Sequence, residues 1–263
     1  MNLANMKLGK QAPRYDSRTL MLADYLRPKV LPPPRASIDW TPKVHGWGMM
    51  GNDTLGDCTC AAAGHLIELW SANVSHQVTP TTTQIVAAYS AITGYTPSNP
   101  NSDRGAVELD VLKYWRSSGI AGQKITAFVS IEPGNHADVM DGVDLFGAVY
   151  IGLALPVSAQ KQTTWSVPPG GAVGPGAPGS WGGHAVPIVA YDARTCTVVT
   201  WGALKQMTWQ FLDTYGDEIY AVLSPQWIDS AGKAPPGLDL TALMADLNEL
   251  TGSGKSKSRA KRK

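Results

Sequence analysis

The chain has 263 residues, of which 43% are hydrophobic and 16% charged, with 22 Lys+Arg against 21 Asp+Glu. That length buries a substantial core as one large or two small domains, and this apolar content excludes wholesale disorder. The longest apolar run, Ala148 to Leu155, is strand-sized and far short of the roughly 20 residues of a spanning helix, so no membrane partner is expected.

Residues 1–36 form a polar, Pro-rich lead ending in Leu31-Pro32-Pro33-Pro34, which reads as an extended arm lying on the body. After the turn-rich Gly51-Asn52-Asp53, the run Ala61 to Trp70 carries helix formers and apolar positions at helical spacing, with a start near Asp57 or Cys58. A second helix is predicted over Thr81 to Ile92 and a third over Val107 to Ser117, stopping at Gly119. The second half changes character. Phe146 to Leu155, Ala185 to Tyr191, Thr195 to Trp201 and Glu218 to Leu223 read as strands of a mostly antiparallel sheet. Val167 to Gly183, dominated by Gly and Pro, is an irregular connection, and Leu238 to Leu250 an amphipathic helix. Helices followed by strands make an α+β protein.

Six basic residues (Lys255, Lys257, Arg259, Lys261, Arg262, Lys263) crowd the end, with no acid among them, which leaves 16 basic against 21 acidic residues in the body. This Lys255-Lys263 tail, part of a flexible segment 251–263, is either a solvated appendage or a contact for an acidic partner or nucleic acid. Three cysteines and a first decad without an apolar core predict neither a disulfide scaffold nor a secretion signal. The expected location is the cytoplasm.

Two residues stand out for chemistry. Cys58 follows Gly56-Asp57 and opens the alanine-rich helix, where backbone N–H groups and the helix dipole favour a thiolate. A free cysteine is commonly a small buried hydrophobe, so both readings stay open on this evidence. Cys60, inside the Ala run, reads as core. With Cys196 the three cysteines supply no convincing metal set, and no cofactor is expected. His184, in Gly182-Gly183-His184-Ala185, sits where the Gly-rich loop meets a strand. His45, His65, His76 and His136 fall in loop, helix, turn and loop.

These segments, in this order, resemble the papain-like cysteine peptidases. Ile38-Asp39-Trp40 is similar to the start of the mature enzymes, and Asn52 to Cys58 to the stretch from the oxyanion-hole glutamine to the nucleophile. Thr79 to Val86 resembles the next helix start. Asp103-Arg104-Gly105-Ala106 resembles the Gly-rich substrate strand, Gly183 to Tyr191 the strand opening with the catalytic histidine, and Thr200-Trp201-Gly202 the downstream Asn-Ser-Trp-Gly. The resemblance implies a two-lobed fold over 37–230, with a helical lobe at 37–125, a β lobe at 126–230 and a cleft between them. A C-terminal helix at 231–250 would follow.

It further implies a peptidase or amidase acting on peptide or protein substrates. Cys58 would be nucleophile, His184 general base and acid, Asn52 oxyanion donor, and Gly105, Ala106 and Gly183 the substrate contacts. Departures are specific. The histidine-orienting asparagine is absent, Val199 or Thr200 standing in its place according to the direction of counting, with Thr200 able to accept from His184 and Trp201 to shield that contact. Thr59 replaces the Trp after the nucleophile, and Leu55 a disulfide cysteine. The lead is shorter than the family's helical inhibitory pro-regions, which argues against zymogen control of that kind. The other reading is a weakly active or inactive papain-fold protein used for binding or structure, for example in a phage particle.

Overall fold

The computed structural model describes residues 3–230 and 236–252. The basic run Lys255-Lys263 and the start of the 231–250 segment lie outside the described residues. Helix α1 (Cys58–Val74) is buried along nearly its whole length, as expected of a helix apolar on every side. Helix α2 (Thr82–Thr93) opens on a reciprocal cap between Thr81 and Gln84 and ends at Gly94, whose φ is +76°. Helix α3 (Glu108–Ser117) follows.

A short strand β1 (Ile38–Asp39) precedes these helices and pairs with β4. The remaining strands are β2 (Ala127–Ser130), β3 (Val149–Leu155), β4 (Gly182–Tyr191), β5 (Thr195–Thr200), β6 (Ala203–Thr208) and β7 (Gly216–Leu223). They form one antiparallel sheet in the order β2-β7-β3-β4-β5-β6. Side-chain alternation divides the core in two. Val149, Ile151 and Leu153 of β3, with Ile219 and Ala221 of β7, face one apolar cluster, shared with α4 (His136–Phe146) and α5 (Trp209–Tyr215). Tyr150, Tyr220 and Val222 face the other, built with α1, α2 and α3. Both helical cover and sheet therefore converge on the strands that carry Gly182 to Tyr191.

Strand β4 begins at Gly182, so it takes Gly182 and Gly183 from the irregular connection expected over Val167 to Gly183, and two further boundaries near the site differ from the sequence expectation. Phe146 ends α4 rather than opening a strand, because Gly147 at φ +81° stops the helix just before β3. Trp201 is not part of β5. It and Gly202 have φ of +46° and +69° and join Thr200 to Ala203 as a two-residue hairpin of the primed kind. Strands β2 and β6 and helices α4 and α5 come in addition to the predicted elements. The last helices are α6 (Pro225–Ser230) and α7 (Leu240–Thr251). The N-terminal arm meets α7 through a hydrogen bond from Tyr25 Oη to Asp246. Among the described residues no helix is long and apolar enough to cross a membrane.

Candidate active site

The chain enters α1 through a tight loop with Met50 and Gly51 at φ of +60° and +95°, which sets Cys58 as the first helical residue. Cys58 is 1% exposed. The backbones of Ala185, the neighbour of His184, and of Gly9, from the distant N-terminal arm, act on the thiol so as to favour the thiolate. Burial nevertheless pushes the thiol up to about 12. The expectation that the helix start favours a thiolate is thus outweighed in this state by exclusion of water. Asp57, also buried, is pushed up to about 8 by the same cause.

His184 is the third residue of β4 and 1% exposed. Its Nε2 lies 2.7 Å from Thr200 Oγ1, and its Nδ1 has no hydrogen-bond partner among the described residues. Strand alternation decides between the two positions left open by counting, since Val199 enters the helix-side core while Thr200 reaches the imidazole. The Trp201 indole stacks on the ring at 4.4 Å with an interplanar angle of 17°, held there by the left-handed backbone of the hairpin. Burial pushes His184 down to about 3, so both members of the pair rest uncharged. Asn52 is 2% exposed and its Nδ2 donates to the Leu55 carbonyl at 3.1 Å, so part of its donor capacity is committed to the loop.

Gly105, Ala106 and Gly183 line the cleft, and the arm occupies them. Gly9 N–H and Lys10 N–H both donate to the Gly183 carbonyl, at 3.2 and 3.0 Å. Ala106 N–H donates to the Gly9 carbonyl at 2.8 Å, and Gln11 N–H to the Ala106 carbonyl at 2.9 Å, a parallel pairing centred on Lys10. Trp201 Nε1 donates to the Lys7 carbonyl at 3.2 Å, so one indole touches both the histidine and the arm. The close approach requires glycine, because a Cβ on Gly105 would overlap the Gly9 carbonyl and one on Gly183 the Lys10 carbonyl. The arm therefore lies in the cleft as a single strand, not as a helical pro-region.

The remaining histidines lie elsewhere. His65 Nε2 meets the Gly48 carbonyl at 2.8 Å, and His136 Nε2 meets Asp213 at 2.6 Å. His136 opens α4 instead of lying in a loop. Cys60 and Cys196 are buried and free, and among the described residues no cluster has the makings of a metal site. What sequence reading missed is the arm's place in the cleft, together with Lys10 and the acidic residues around it. A polar lead carries no periodicity from which its docking could be read.

The fold is that of the papain-like cysteine proteases. The structure resembles xylellain, a cysteine protease from Xylella fastidiosa, with TM-score 0.63 and 15% identity over 84% of this chain and 97% of that one. Procathepsin B S9 from Trypanosoma congolense gives 0.60 at 9% identity, covering 85% and 88%. Digestive procathepsin L 3 of Tenebrio molitor gives 0.57 at 13% identity, covering 84% and 77%. No family model and no curated protein matches the sequence.

Proposed function

From a chain with the papain-like fold, we propose a cysteine peptidase or amidase in which Cys58 attacks a peptide carbonyl and His184 moves the proton. The observation that carries this reading is the histidine's environment. Nε2 is held by Thr200 and covered by Trp201, while Nδ1 is left without a partner among the described residues and the next residue, Ala185, acts through its backbone on the Cys58 thiol. With Nε2 donating to Thr200 Oγ1, Nδ1 is the basic nitrogen of a neutral imidazole.

His184 Nδ1 takes the thiol proton as sulfur bonds to the carbonyl carbon. The Cys58 backbone N–H, first of α1, stabilises the oxyanion. The proton then passes to the departing amine as the C–N bond breaks, leaving a thioester. Water, deprotonated by the same nitrogen, cleaves the thioester, releasing the acid and restoring the thiol. Thr200 and Trp201 act as positioning residues. Asn52 has one amide N–H committed to Leu55 and only the second for the oxyanion, and this is the observation that favours the second reading, a papain-fold binding protein with little turnover.

The test uses full-length Gly9→Ala, in which the new methyl group overlaps the Gly56 carbonyl and dislodges the arm. Iodoacetamide or an epoxysuccinyl reagent at mildly acidic pH is expected to label Cys58 faster than a free thiol, and His184→Ala to abolish the advantage. Labelling no faster than a free thiol, indifferent to His184, would rule out the peptidase reading.

A further inference from the structure

Lys10 is 6% exposed, rare burial for a lysine. Its Nζ lies 2.8 Å from Asp217 Oδ2 and 3.1 Å from Glu218 Oε1. Glu108, the first residue of α3, is fully buried, and neither of its carboxylate oxygens has a hydrogen-bond partner among the described residues. It acts electrostatically on both Lys10 and Glu218.

The backbone is shaped around this group. Between β3 and β7 the register slips, Gly152 pairing with Glu218 and Leu153 with Gly216, which leaves Asp217 as the extra residue of a bulge. A bulge re-aims side chains, and this one brings Asp217 and Glu218 to the same ammonium. Opposite it, a Cβ on Gly152 would overlap Lys10 Cε, so the glycine makes the room that the lysine stem fills. Tyr220 Oη donates to Glu218 Oε2 at 2.9 Å and fixes the carboxyl.

Fastening an arm does not require such a socket. An apolar contact serves as well or better, since burying an ion pair costs solvation that the attraction only partly returns. Two carboxyl groups at one ammonium, with the unpartnered Glu108 in electrostatic reach, supply more acid than the arm's single cation can match, and the excess belongs to the body. We propose that Glu108, Asp217 and Glu218 form a pocket by which the cleft selects a lysine or arginine side chain of a peptide substrate, with Lys10 as the chain's own occupant. The word substrate rests on the peptidase reading; the pocket does not. Open glycine walls alone would suggest tolerance of bulky apolar groups near the nucleophile, whereas this socket beside them asks for a cation.

The test separates the two. Full-length chain carrying Cys58→Ala, which turns nothing over, and Lys10→Ala, which vacates the pocket, is titrated into a fluorescein-labelled peptide of the Asn5 to Arg14 sequence and followed by anisotropy. The comparison peptides carry norleucine or arginine in place of Lys10 and keep Lys7. The lysine and arginine peptides are expected to bind at least about tenfold tighter than the norleucine peptide, as for a charge-assisted hydrogen bond. Glu218→Gln and Asp217→Asn should bring the ratio towards one. Equal affinities, or tighter norleucine binding, overturn the pocket, and this comparison stands even if a pocket variant fails to fold. With Cys58 restored, cleavage of a peptide library should select Lys or Arg at one fixed position from the cut, and apolar selection there overturns the substrate assignment. Absence of cleavage counts against the peptidase reading alone, because the anisotropy ratio still decides the pocket.

Discussion

The two walls of the cleft are built differently. On the histidine side, His184, Thr200 and Trp201 come from β4, β5 and the turn after β5, so one stretch of antiparallel sheet fixes base, orienter and cover together. On the cysteine side, the thiol sits at a helix start whose neighbours are a buried acid, Asp57, and Gly9 from a segment far away in sequence. The sheet wall's three side chains hold one another, and the wall meets the arm at the Trp201 indole and the Gly183 carbonyl. The helix wall has its present electrostatics only while the arm is in place, because the arm excludes the water that would stabilise a thiolate–imidazolium pair.

The most severe break of this comparison is loss of either reacting group. On the proposed mechanism, Cys58→Ala or His184→Ala lowers peptide hydrolysis by a factor of about a thousand or more, measured as initial rates in the Gly9→Ala background. Next is the arm. Lys10→Ala leaves acidic groups without their cation, an arrangement that typically costs several kcal/mol, so the closed state loses its hold. Cys58 labelling by iodoacetamide should then rise at least about tenfold, with the pH profile of labelling shifting down from the high value, about 12, of the covered thiol. An unchanged profile would mean that the arm does not set the thiol's environment.

A smaller effect is expected at Thr200. Thr200→Val deletes the hydroxyl on His184 Nε2, at a cost of about 1–3 kcal/mol for an orphaned buried polar group, or roughly five- to 150-fold in rate. Thr200→Asn should recover part of it. The smallest change sharpens the cysteine side. Asp57 raises the thiol's proton affinity by its charge, so Asp57→Asn should lower the labelling midpoint at pH values where Asp57 is ionised, above its own value of about 8. Below that pH the two chains should label alike.

The buried imidazole adds a pH signature. His184 is neutral in the folded chain down to about 3, against an ordinary value of 6.5. Because the folded value is depressed, the unfolded chain binds more protons between these limits. This contribution to stability is complete above about pH 6.5 and is lost as pH falls towards 3. His184→Asn should flatten the dependence of the urea midpoint on pH across that window, relative to the parent chain.

Much of this was legible in the residues. The alanine-rich α1, the Thr81 cap and the strands from Ala185, Thr195 and Glu218 follow from periodicity and capping chemistry, and those strands fix where His184 and Thr200 stand. The rest depends on contacts that sequence spacing does not encode. Glu108 reads as an ordinary acid in a helix's first turn, favourable to the dipole, yet it is wholly buried, in electrostatic reach of Lys10 in the arm and Glu218 in β7. Trp201 reads as the end of a strand, yet a bulky residue adopts a left-handed conformation there because its indole spans His184 and Lys7. Lys7 to Gln11 have no hydrophobic pattern, since main-chain pairing with Ala106 and Gly183 places them.

That pairing is intramolecular, and so the occupant of the cleft cannot be diluted away. A tethered strand competes at an effective concentration of roughly millimolar whatever the amount of protein in solution. A free peptide gains the cleft by exceeding that figure relative to its own affinity, or by arriving after the arm has been cut or drawn elsewhere. Opening is then a property of each molecule and of what acts on its first eleven residues, independent of how many molecules surround it.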